Sequence, residues 1–240
     1  MSTSDSTKPA DSMQKTARTA GFLYMLLIPL GIFGMIYIPA TLYVQGDVAA
    51  TARSILANEG LFRLSIASSL LTQVVQIFVV AYLYKVLKSA GRNAALLMVV
   101  FILLGVPIAM FNEVSRLAIL MVLKGIFSTS YTVEQSHALV GLFLDVHKAG
   151  VFIAQTFWGL WLLPMGVLVF KSKFLPKFIG VLLVIAGVGY LVDTFMYLIA
   201  PELDITFSDF AFAGEVLITF WLLIRGVNVE VWAKETQDAA

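Results

Sequence analysis

No cysteine occurs in the 240 residues of this chain. That excludes disulfide frameworks, thiolate metal sites and thiol nucleophiles, and it leaves the compartment unmarked by cysteine usage. Charge is scarce as well: Asp, Glu, Lys and Arg make up 13% of the chain, against about 25% in an average soluble domain. A formal net charge of +1 lacks the concentrated basic face that a nucleic-acid partner requires. Enzyme signatures readable from spacing are missing too. There is no G-x-S-x-G elbow, no H-E-x-x-H, no G-x-x-x-x-G-K-[ST] phosphate cradle and no G-x-G-x-x-G after a strand. What fills the chain is apolar, 60% against roughly 45–50% in average proteins. One soluble core cannot hide that much apolar surface. The long runs nearly free of charge read instead as transmembrane helices, each needing about 20 residues to cross about 30 Å of hydrocarbon.

Six such runs follow a polar segment, 1–16, whose Ser, Thr, Asp and Lys have almost nothing to bury and read as a mobile tail. The first run, 20–44, exceeds the 7–15 apolar residues usual in a signal peptide and reads as a retained helix, kinked or shortened by Pro29 and Pro39. In the next loop Asp47 is placed to cap a short amphipathic helix closed by Asn58 and Gly60. The second run is 61–84 and the third 93–123, long enough for its end to project past the hydrocarbon. Thr132 and Gln135 have capping-box spacing, with Gly141 a plausible break before the fourth run, 142–170. The fifth is 174–200, stopped by Pro201, and the sixth runs from about Asp209 to Asn228.

Lys and Arg placement gives an orientation. With the N-terminus inside, the cytoplasmic face holds Lys8, Lys15, Arg18, Lys85, Lys88, Arg92, Lys171, Lys173, Lys177, Arg225 and Lys234. Only Arg53, Arg63, Arg116, Lys124 and Lys148 fall on the other side. The expectation is an all-α integral membrane bundle of six transmembrane helices, with both termini cytoplasmic. The bundle takes 17–229, between the 1–16 tail and a second tail at 230–240.

Four stretches, ARTAGFLY at 17–24, LFRL at 61–64, FLPKFIGVLLVIAGVGYLVD at 174–193 and GEVLITFWLLIRGV at 214–227, recur together in order and spacing. In them the chain resembles a bacterial multi-span membrane family known as domain of unknown function 4386. The resemblance covers nearly everything after the tail, implies the bacterial cytoplasmic membrane as location, and brings no established activity or catalytic residue. The family pattern places a histidine near the position of Trp161, which this chain lacks.

Chemistry in such a chain should lie with polar residues inside the spans, each costing free energy unless paired or hydrated, about 2.5–3.5 kcal/mol for an Asp, Lys or Arg at mid-membrane. Counting about 1.5 Å per residue puts Asp193, Gln155 and Ser69 each about 24 Å from the inner helix ends, with Glu215 at a similar level. Ser65, Ser69, Thr72, Gln73 and Gln76 form a polar stripe, read either as glue between helices or as a solute path. Leu182, Ala186, Gly189, Asp193 and Tyr197 share a face that should look inward. Glu113–Arg116 and Asp145–Lys148 have ion-pair spacing and read as structural; Arg63 reads as reaching for headgroups. Trp158, Trp161 and Trp221 read as packing or lipid contact. No base shares the level of Asp193 and Glu215, so either Arg63 or Arg116 reaches down or the two acids hold a proton between them.

Three readings follow. The first is a non-enzymatic binding or transport bundle taking a small solute, lipid or cation into an outward-facing polar pocket. Asp193 and Glu215 form its floor, with Gln155, Ser69, Gln73, Arg116 and Glu113 around it. The second is an accessory or scaffold protein whose buried charges serve assembly, with homo-oligomerisation open. The third, a metalloenzyme on His137, His147 and nearby acids, has the weakest support, because two histidines ten apart match no metal motif. No cofactor is implied.

Overall fold

The computed structural model describes residues 7–125, 131–203, 207 and 212–238. It is all helical, with no strand among the described residues. Among the described residues nine α-helices follow in order: α1 Thr7–Gly31, α2 Ile38–Leu42, α3 Val48–Ala57, α4 Glu59–Leu87, α5 Arg92–Leu123, α6 Val133–Lys171, α7 Lys177–Ile199, α8 Ala213–Ile224 and α9 Val229–Asp238. A π-helical turn, Ile32–Tyr37, joins α1 to α2, so that one continuous rod runs from Asp11 to Leu42.

Five rods are long and apolar enough to span a bilayer: 11–42, 59–90, α5, α6 and α7. A sixth crossing exists when α8 and α9 are counted as one unit, bent by 98°. The expected sixth run to Asn228 therefore ends early. Helix α8 stops at Ile224, and Gly226, at φ +69, turns the chain into α9. Asp204 and Asp209, expected between the last two spans, lie outside the described residues.

Local chemistry explains several boundaries. Asp47 Oδ1 accepts from the Ala50 N–H at 2.7 Å and starts α3. The reciprocal pair at the start of α6 is complete: Gln135 N–H donates to Thr132 Oγ1 at 3.2 Å, and Thr132 N–H donates to Gln135 Oε1 at 2.9 Å. Gly60 does not close α3 as expected. Asn58 ends it alone and α4 is under way at Glu59. Gly141 does not break the fourth run either; α6 continues through it for 39 residues, about 58 Å. Neither Pro29, inside α1, nor Pro39, in α2, ends the rod, which runs on to Leu42. A proline ring strikes the carbonyl four residues earlier, and the wider π turn just before Pro39 gives that carbonyl room. Helix α1 also reaches back to Thr7, into the segment expected to be a tail.

The long helices pack in a closed ring in chain order, α1 against α4, α4 against α5, α5 against α6, α6 against α7, α7 against α8, and α8 back against α1. One core fills the ring, with Val79, Leu83, Met98, Trp161, Leu162, Met165, Leu183 and Leu222 among its members. A second, smaller core of Ile38, Leu42, Ile55, Phe62, Ile119, Leu120 and Val140 lies where α3 covers the ends of α4, α5 and α6. At the opposite end Gln14 of α1 donates to the Arg225 carbonyl at 2.8 Å and accepts from Val227 N–H at 3.0 Å. The start of α1 and the turn after α8 are thereby tied at one end of the bundle.

Candidate functional site

The polar residues inside the ring fall into two groups on opposite arcs. The first is built around Glu215, in the first turn of α8. Tyr24 of α1 donates to one carboxylate oxygen at 2.6 Å, and Tyr190 of α7 donates to the other at 2.8 Å. The first is short, as for a strong hydroxyl–carboxyl bond, and the second is of ordinary length. Three helices far apart in sequence thus meet at one carboxylate. No Lys or Arg among the described residues lies within ion-pair distance of it. Trp161 of α6 packs on Tyr24, ring centres 5.9 Å apart, and walls this group off from the rest of the core.

Tyr190 links Glu215 to the other expected residues. Its carbonyl accepts from Gln155 Nε2 of α6 at 3.2 Å and from Thr194 Oγ1 at 3.0 Å. Asp193, three residues on and 3% exposed, has Oδ1 2.7 Å from the Phe207 N–H that donates to it. Phe207 is therefore held beside Asp193. The face expected to look inward does so at Ala186, Gly189 and Asp193, all buried. Close approach of helices sets this geometry. A Cβ on Gly214 would lie 2.9 Å from the Leu182 backbone, and one on Gly187 would lie 2.8 Å from the Gly159 carbonyl oxygen. Glycine is what lets α7 sit close enough to both neighbours.

The second group centres on Arg116 of α5, 2% exposed. Its guanidinium pairs with Glu113 at 3.2 Å, donates to Ser65, and approaches Ser69 at 3.5 Å. The Phe62 ring lies under it, 5.0 Å away. Arg116 Nε has no partner. The π turn of the first rod stands beside this group, where a Cβ on Gly34 would come 3.1 Å from Ser69 Oγ. Burying a charged pair costs several kcal/mol per ion, and here the mutual contact and the serine hydroxyls offset that cost. The expected Glu113–Arg116 pairing is present.

The expected layer of Ser69, Gln155, Asp193 and Glu215 is thus divided. Gln155 and Asp193 lie with Glu215 through Tyr190, while Ser69 belongs to Arg116. Gln73 is buried with Oε1 unpartnered, and Gln76 is buried beside it on the stripe. Asp145 and Lys148 form no ion pair; both are exposed, and Lys148 lies 5.9 Å over the Tyr197 ring. Arg63 binds Glu59 at 2.7 Å, and Lys124 meets the same carboxylate at 3.1 Å. His147 Nδ1 faces Asn112 at 3.2 Å, and His137 sits ten residues earlier on the same helix. No three of His, Asp and Glu converge as metal ligands among the described residues. Tyr24 and Tyr190 were not among the expected site residues. Tyrosine is abundant at membrane interfaces, and nothing in the sequence pairs these two with an acid 191 and 25 positions away.

These features define an all-α protein of five to six membrane-length helices closed into a ring, with an acid held by two phenols inside it. The chain belongs to the family described as Domain of unknown function (DUF4386), whose model matches residues 19–226. It is also similar to an uncharacterized protein of Archaeoglobus fulgidus, 29% identical over 163 residues, covering 68% of this chain and 83% of that one. No solved structure matches the chain.

Proposed function

We propose that this protein binds a small cationic solute or a metal cation at Glu215 and Asp193, inside the ring, as the first step of binding or transport across a bacterial cytoplasmic membrane. The observation that carries this reading is the Glu215 carboxylate gripped by Tyr24 and Tyr190 with no basic residue beside it. Phenol hydroxyls aimed at both oxygens hold the group in place, and a cation brought beside it would meet a carboxylate with no basic neighbour among the described residues. Asp193 lies one turn away on the helix that carries Tyr190, so a second acid stands on the same stretch of α7. The entry side is the one bearing fewer basic residues, with both termini at the cytoplasmic end. The Arg116 group, internally paired and packed on Phe62, serves the fold.

Thermal unfolding of the detergent-purified protein against a panel of sodium, potassium, calcium and choline chlorides tests this. At least one cation should raise the midpoint of the native chain in a saturable way, and Glu215→Gln with Asp193→Asn should abolish that rise. Equal salt responses of native and double variant for every cation would sink the proposal.

A further inference from the structure

On the outer face of the ring, two hollows between α5, α6 and α7 run into each other. One, of about 370 Å³, is bounded by Phe101, Leu160, Val167 and Val184. The other, of about 230 Å³, shares Val167 and Val184 and continues along Phe170 and Gly180 to Lys171. Together they form one apolar furrow. The seam beneath it cannot be filled from within, because the α6 and α7 backbones touch there: a Cβ on Gly166 would lie 2.6 Å from the Gly180 carbonyl oxygen. From Lys171 up to Leu160 the furrow rises about 16 Å, which is one leaflet of a hydrocarbon core about 30 Å thick.

Its mouth is basic. Lys171 borders the lower hollow, and Lys173 and Lys177 stand exposed on the same turn. Lys177 Nζ is 5.6 Å over the ring of Phe170, a furrow residue. Gly91 packs against Leu168, which brings exposed Arg92 to the same end. The acid that reaches this turn, Glu235, accepts from the Lys173 backbone N–H at 3.2 Å.

We propose that this furrow holds an acyl chain of one anionic diacyl phospholipid, with its phosphate at Lys171, Lys173 and Lys177. The occupant needs an apolar body one leaflet long and a negative head at one end, and an anionic phospholipid has both. A second copy of the chain fits worse. Copies in one membrane share an orientation, so a symmetric pairing on this face sets one lysine turn against another. The site is separate from Glu215 and does not depend on cation binding there.

Native mass spectrometry of the full chain, released from detergent containing either dioleoylphosphatidylglycerol or dioleoylphosphatidylcholine, tests this. The glycerol lipid should be retained preferentially, each lysine-to-glutamine change at 171, 173 and 177 should weaken its retention about fivefold, and Val167→Trp should expel it. Far-UV dichroism in lipid-free detergent checks that the variants are folded. If Val167→Trp is not, Val181→Trp, at an exposed position in the lower hollow, takes its place. Equal retention of the two lipids overturns the proposal. So does displacement of the lipid by millimolar glycerol 3-phosphate, which would make this a site for the free head alone. A dimer that Val167→Trp dissociates without changing lipid retention overturns it as well, in favour of an interface between copies.

Discussion

At the scale of single residues, the carboxylate of Glu215 is the most constrained polar group in the bundle. Each phenol that holds it replaces water that the interior does not supply, and a hydrogen bond to a charged partner contributes about 1.5–3 kcal/mol. Tyr190→Phe removes one such bond and fills the same space, so its effect reports the hydroxyl alone. It should lower unfolding stability in detergent by about 1–3 kcal/mol. Tyr24→Phe should do the same, and Tyr24→Phe combined with Glu215→Leu should cost less than the sum of the two. Additive losses in that cycle would mean the bond contributes nothing to the fold. Trp161, 2% exposed and with its ring centre 5.9 Å from that of Tyr24, holds the Tyr24 ring in place when the hydroxyl is removed.

Among elements, the helix starts were legible where the chemistry is local. Asp47 and the Thr132–Gln135 pair signal their caps within four residues, and both are formed. Gly141 misled because a glycine between apolar runs looks like a stop, whereas α6 runs straight through it; a Cβ there would sit 3.4 Å from Val48 Cγ2, an ordinary contact. Height along a helix can be counted from the sequence, since rise per residue is fixed, but position around the ring cannot. Ser69 and Asp193 fall at similar counted heights and yet serve different clusters, because rise says nothing about which neighbours a helix meets. The tyrosine partners of Glu215 needed contacts between the first, fifth and sixth spans, which no periodicity encodes. Glycines divide the same way into those that touch backbone and those that do not. Gly166→Ala must push aside the Gly180 carbonyl and should cost about 1–3 kcal/mol as an overpacked contact. Gly141→Ala meets only ordinary contact and should be neutral or stabilising by up to about 1 kcal/mol, through helix propensity. Paired chemical-unfolding curves of the two variants decide whether close approach of α6 and α7 governs assembly.

For the molecule as a whole, the absence of cysteine is an experimental gift, because any introduced thiol is the only one. Tyr131→Cys, Lys173→Cys and Lys234→Cys lie at exposed positions at the two ends of the bundle. With both termini cytoplasmic, a membrane-impermeant maleimide applied to intact cells should label Tyr131→Cys alone and reach the other two only after permeabilisation. Labelling of Lys173→Cys in intact cells would reverse the orientation. At the Tyr131 end, α6 has one more property. It is a rod of about 58 Å crossing a slab of about 30 Å, so close to half its length stands clear of the hydrocarbon. The overhang carries α3 and the small core beneath it on the same unbroken helix that contributes Gln155 and Trp161 to the interior. A change in tilt of about 10° would swing its free end by about 5 Å, so the angle at which α6 crosses sets where the cap stands.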